Sequence, residues 1–214
     1  ALLRVVGAVR EGEAGGGDEL QAAQAGVGGI MASWTCGGYP SPNLKAAAAY
    51  ASQSRPSRER ILQDEAKRIY GDAGSGAALD AWRIFSEAFK SFPYGVAIYV
   101  LPTQHGPANL LRLKPTGLKP GMILFPYDQY QSWKGAYPPE IAQQLMAQLA
   151  AQWRTGLDTL EKAAAAAPVT QRKAAQLELA IARTCHAHFE STANQIEFYL
   201  LRDQLPNAGD ARRR

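Results

Sequence analysis

The hydrophobic positions divide the chain into two kinds of segment. From Leu2 to Val9 the apolar residues run almost without interruption, the pattern of a short strand buried on both faces. A glycine-rich loop follows, Glu11 to Gly17. Asp18 then caps a short helix from Glu19 to Gln24 that ends at Gly26. The stretch Gly26 to Trp34 reads as a second buried strand. Strand, helix, strand in that order predicts one βα unit with a parallel partner strand, either a small remnant or the end of a larger sheet.

Beyond Pro40-Ser41-Pro42 the period becomes helical. Asn43 is placed to cap Leu44 to Gln53. Ser57 is placed to cap a helix from Arg58 to Tyr70, whose inward stripe is Ile61, Leu62, Glu65 and Ile69. Gly71 reads as the end of that helix. A further one starts at Ser75 or Gly76 and reaches Lys90, with Leu79, Trp82, Ile84, Phe85, Ala88 and Phe89 facing inward. Residues 93–137 carry prolines and glycines too densely for long regular elements, leaving short extended runs at Val96 to Leu101 and Met122 to Phe125. Pro138-Pro139 then opens a long helix to about Ala166, striped by Ile141, Leu145, Leu149, Trp153, Leu157 and Leu160. Thr170 caps the last helix, to about Leu205, striped by Leu177, Ile181, Cys185, His188, Thr192, Ile196 and Tyr199. A short loop between two long helices predicts an antiparallel hairpin. The expected fold is mainly α with a small parallel β element. Its parts are a βαβ-like segment over 1–42 and a helical domain over 43–214 that contains the loop region 93–137.

Composition narrows the function classes. With 214 residues and 46% hydrophobic content the chain can bury a sizeable core. The formal charge of +4 comes from 23 basic against 19 acidic residues, part of it in Arg212-Arg213-Arg214. The basic residues between Arg55 and Arg68 alternate with Glu59, Asp64 and Glu65, the pattern of a solvated helix face, so no nucleic-acid partner is expected. No apolar run is long enough to span a membrane. The N-terminus lacks a leader pattern and opens as if within a longer protein, so no compartment can be assigned. The two cysteines, Cys36 and Cys185, have no metal-site spacing; they read as buried apolar residues, with a disulfide as the alternative. His186 and His188, two apart on a helix, point to different faces and make a poor metal pair. No metal or cofactor is expected.

Candidate chemistry gathers in two places. Trp34 ends the second predicted strand and is followed by Gly37, Gly38 and Tyr39, where ligand sites collect in α/β folds. An indole there can stack on a sugar ring, or it can simply cap the sheet. In the loop region, His105 and Asn109 offer hydrogen bonds, and Tyr127, Asp128 and Trp133 form an aromatic and acidic cluster. Asp128 is the candidate catalytic carboxylate, its alternative being a turn-forming residue. A glycosidase normally uses two carboxylates, and no second one stands near Trp34. No serine-hydrolase elbow, phosphate loop, dinucleotide fingerprint or zinc-protease motif occurs.

The run Gly29-Ile-Met-Ala-Ser-Trp-Thr-Cys-Gly-Gly-Tyr-Pro-Ser-Pro-Asn43 resembles the closing strand and loop of (β/α)8-barrel, glycoside-hydrolase-like bacterial proteins. Residues 81–89, 105–109, 126–128 with Trp133, and 153–157 are similar to the helical region that follows that strand. The resemblance implies a carbohydrate ligand contacted by Trp34, Tyr39, His105, Asn109, Tyr127 and Trp133. It also implies that most of the barrel precedes residue 1, which would make that missing part a partner. The expected function is the C-terminal portion of a carbohydrate-active, glycosidase-like protein. The alternative is a non-catalytic helical binding or interaction module.

Overall fold

The computed structural model describes residues 42–50, 56–93, 110–118, 128–132 and 136–211. Among them the regular elements are helices: α1 (Pro42–Tyr50), α2 (Arg58–Phe89), α3 (Pro139–Ala166) and α4 (Arg172–Ala211), with a 3-10 turn at Tyr130–Ser132. The expected fold is corrected accordingly. The described part is helical, with no strand or sheet, so the parallel β element is not part of the observed architecture. The runs read as strands over 2–34, and those at 96–101 and 122–125, lie outside the described residues, as does all of the expected βαβ-like segment except Pro42. Continuous apolar runs of this length do not by themselves distinguish a strand from a buried helix.

The helix boundaries follow local chemistry. Pro42 opens α1, a first-turn position where its missing N–H costs nothing. The Ser57 hydroxyl accepts from the Arg60 N–H at 3.3 Å and caps α2. The two helices expected on either side of Gly71 meet directly at a kink there, and α2 denotes the whole span. Gly71 takes φ 70° and ψ 178°, a conformation essentially confined to glycine, and the helix resumes at once with no intervening loop. A Cβ there would also lie 2.6 Å from Pro168 Cδ. Helix α4 continues past the expected stop near Leu205 to Ala211, going without the bond that Pro206 cannot donate.

The chain forms two compact units. The first comprises Ala1–Lys90 and Gln152–Arg183, the second Ser91–Ala151 and Thr184–Arg214, so α3 and α4 each contribute to both. In the first unit α2 runs antiparallel to the second half of α3. A Cβ on Gly74 would sit 2.6 Å from the Ala163 carbonyl, and one on Gly156 would sit 2.4 Å from the Phe85 ring. Ala66, Ala78, Ala81, Ala88, Ala163 and Ala167 are buried around these contacts. Small side chains let the helix backbones come close, and the large groups fill the remaining space. The Phe85 and Trp153 rings stack 4.3 Å apart, and Trp153 Nε1 donates to the Ala182 carbonyl at 2.9 Å. That bond, with the turn Ala167 to Gln171, sets the start of α4 antiparallel to the end of α3, and Gln171 Nε2 donates back to the Lys67 carbonyl. α1 also packs against α2 in this unit.

The buried stripes differ from the expected ones in register. On α3 the inward positions near the start are Ala142 and Met146, while Ile141 is exposed and Leu145 half-buried. On α4 they are Ala175, Leu179 and Ala182, while Leu177 is exposed. On the second half of α2, Ala78, Ala81 and Ala88 are fully buried, and Leu79, Trp82, Ile84 and Phe89 only half so. Alanine occupies the closest approaches, and a periodicity argument weighted toward large residues points one or two positions away from the contact line.

Candidate functional site

In the second unit the segment 110–118 crosses the face of α4 without regular structure. It is rich in leucine, but its fixed points are polar. The Tyr199 hydroxyl donates to the Leu110 carbonyl at 3.4 Å, and Arg202 Nη1 donates to the Arg112 carbonyl at 3.1 Å. At Thr116 the backbone N–H reaches Asp128 Oδ2 at 2.6 Å, and the hydroxyl donates to Asp128 Oδ1 at 2.8 Å. The Thr116 oxygen accepts in turn from the Leu118 N–H. Gly117, with φ 73°, makes the turn between them possible.

Arg202 is the hub. Its side chain is 6% exposed. Beyond Arg112 it donates to the Asp128 carbonyl at 2.7 Å and to the Asp203 carboxylate at 2.8–2.9 Å. Its Nη1 lies 3.8 Å from Asp128 Oδ2, and its guanidinium sits 4.6 Å from the centroid of the Tyr199 ring. The planar fork suits this task, because five donors reach several acceptors from one buried position. Burial raises the Tyr199 phenol above its ordinary value, partly offset by the Arg112 backbone hydrogen bond. Nearby, the Tyr130 hydroxyl donates to the Pro139 carbonyl and ties the 3-10 turn to the start of α3; burial, with the Glu140 charge, holds that phenol neutral through the whole working pH range.

Asp128, the candidate catalytic carboxylate, is 0% exposed, and both its oxygens accept from Thr116. General acid or base chemistry needs a carboxyl within reach of a substrate proton. In this arrangement the carboxylate is committed to the chain's own donors, and its evident work is to fix a loop. The candidate ligand contacts Trp34, Tyr39, His105, Asn109, Tyr127 and Trp133 lie outside the described residues. Arg202, Thr116 and Tyr199 were not singled out from the sequence as site residues. One signal was available: Thr192, Gln195, Ile196, Tyr199 and Arg202 continue one helical face, and a cation on a buried stripe implies a buried acceptor.

What the hub holds out to solvent is apolar. Leu110 is 71% exposed, Leu111 52%, Leu113 74% and Leu118 60%. Leu113 and Pro115 form one wall of an open groove of about 490 Å³ whose other wall is Arg202, Asp203 and Leu205 on α4. Between the leucines stand Arg112 and Lys114, both exposed, and among the described residues neither makes an ion pair.

Elsewhere the described residues hold no cluster of three or more metal-ligating side chains, and no helix among them is long and apolar enough to cross a membrane. His186 lies 3.9 Å from Glu190 on the same helix, and Cys185 is a buried free thiol whose pKa burial pushes up to about 12. No protein-family model, no curated protein and no solved structure matches the chain, so its own geometry carries the functional reading.

Proposed function

We propose that the chain is a non-catalytic helical interaction module whose contact element is the segment 110–118. One observation carries this reading: four leucines stand exposed on a segment that a buried Arg202–Asp128–Thr116 node fixes in shape. A floppy loop would have to be ordered during binding, at a cost of about 0.5–1.5 kcal/mol for each immobilised side chain. Here the backbone is already pinned, so the apolar area is available with less to lose. Large exposed apolar surface fixed by buried polar groups is the signature of a binding face. The sugar contacts of the carbohydrate-active reading lie outside the described residues, and its candidate carboxylate Asp128 is bonded to Thr116.

Two measurements test this together. Replacing Leu110 and Leu113 with serine should leave the thermal midpoint within a degree or two and sharply lower binding of a hydrophobic dye such as anilinonaphthalene sulfonate. Dye binding that ignores the replacements removes the strap as a contact face. Incubation with aryl glycosides should give no turnover. Turnover that disappears in a stably folded Asp128→Asn variant would instead make the chain an enzyme.

A further inference from the structure

We infer that the partner of this strap is an acidic amphipathic peptide segment, which seats an apolar side chain in the groove beside Leu113 and places carboxylates against Arg112 and Lys114. The inference rests on the strap being the contact element and goes on to name what it contacts.

Three occupants compete for such a face, and charge with shape separates them. Each leucine of the strap, and Leu205 across the groove, is more than half exposed, which matters for any of the three. A second copy of the chain would meet it through a twofold contact, in which each surface faces itself. A twofold contact centred on the strap would bring Arg112 and Lys114 of both copies onto one small face with no acidic residue from either strap, an arrangement that opposes pairing. An anionic membrane surface is recruited by clusters of about four to eight cations, and the strap supplies two. A flat bilayer also fits poorly against a concave groove.

A peptide avoids each of these difficulties. Its apolar side chain enters between Leu113 and Pro115 on one side and Leu205 on the other. Its carboxylates lie over the strap, where Arg112 and Lys114 project beside the exposed leucines and have no ion pair among the described residues. On the groove wall Arg202 is shared between the Asp128 and Asp203 carboxylates, and Arg112 and Lys114 on the strap leave the face as a whole with an excess of positive charge. Apolar anchor and charged rim are the ordinary anatomy of helix-in-groove recognition.

The test uses the whole chain and two fluorescein-labelled 14-residue peptides. Both carry leucine along one helical face; the other face carries glutamate in the first and lysine in the second. Fluorescence anisotropy should show the glutamate peptide binding at least about tenfold tighter at low salt, with the preference shrinking as sodium chloride is raised. The double reversal Arg112→Glu with Lys114→Glu should invert the preference, and Leu113→Ser should weaken both peptides, with the thermal midpoint of each variant unchanged. Equal binding of the two peptides overturns the inference. So does tighter binding to phosphatidylserine vesicles than to either peptide, which would make the face a membrane contact. Dimers in sedimentation that the Leu113→Ser change dissolves would overturn it in favour of a second copy. In each of these cases a leucine-dependent dye signal leaves the strap as the contact element. Loss of that dependence is what brings down the underlying reading.

Discussion

The close helix contacts of the first compact unit and the bonds that pin the strap in the second are opposite in kind. In the first, the close contacts are between glycine, alanine and aromatic carbon: Gly74 on Ala163, Gly156 on Phe85, Phe85 on Trp153. In the second, the contacts that fix the strap are ionic and hydrogen-bonded: Arg202 to two backbone carbonyls, Asp128 to Thr116. Helix packing needs few polar groups because the helices satisfy their own backbones. A strap without regular structure has carbonyls and N–H groups to satisfy, and side chains must do it. The difference teaches where function is placed. A face made by apolar packing is used up in the core, whereas a segment pinned through its polar atoms keeps its leucines for something else.

The largest expected effect tests the apolar unit. Trp153→Ala removes a buried ring and its bond to Ala182, and should cost about 4 kcal/mol in urea unfolding, with a much smaller loss for Trp153→Phe. A loss near 1 kcal/mol would mean that the stacked pair is not the centre of that unit. Next comes the polar node. Asp128→Ala removes the buried carboxylate that accepts from the Thr116 N–H and hydroxyl, and should cost about 3 kcal/mol. Proteolysis within 110–118 should speed up in that variant, while the first unit keeps its hydrogen-exchange protection. Slowed cleavage, or loss of protection in both units at once, would erase the contrast drawn above.

A pair of glycines sharpens it further. Gly156→Ala forces a methyl group onto the Phe85 ring and should destabilise by about 2 kcal/mol. Gly76, on the same α2–α3 unit, has open space where its Cβ would be, and Gly76→Ala should stabilise by about 0.5–1 kcal/mol. If the two changes have the same sign, close approach is not what holds these helices. The last effect is nil near neutrality and appears only at high pH. Cys185 keeps its proton to about pH 12 in the folded state against 9.0 as the ordinary value. Between these values the unfolded chain loses a proton that the folded chain retains, so stability present below pH 9 declines as the pH rises. The slope is about 1.4 kcal/mol per pH unit. Cys185→Ala should flatten that limb of the stability profile.

Much of the helical layout could be read in advance. Pro139, Pro168 and Ser57 mark helix ends by chemistry that acts within a few residues, and the apolar period over 139–166 is regular enough to name Leu149, Trp153, Leu157 and Leu160 as core. Gly71 was visible as a break because of what glycine permits, although α2 resumes directly after it. The inward faces were less legible wherever alanine carries the contact, since alanine supplies little periodic signal. The parallel β element is absent from the described residues, and the short apolar runs that suggested it lie outside them. The candidate site was the least legible part. Asp128 was singled out for its aromatic neighbours, yet its partners Thr116 and Arg202 stand 12 and 74 residues away, and nothing local to any of the three predicts that they meet.

That separation also sets an order of events. The strap is fixed by residues 199 and 202, which lie about 90 positions downstream of the carbonyls they hold. During synthesis at about 5–20 residues per second, its leucines therefore emerge several seconds before the arginine that will anchor them. Contacts of such long range form late, after the local helices. For that interval the strap is an exposed, leucine-rich thread of the kind that chaperones bind, and its shape is settled by a turn of α4 made about 90 residues later.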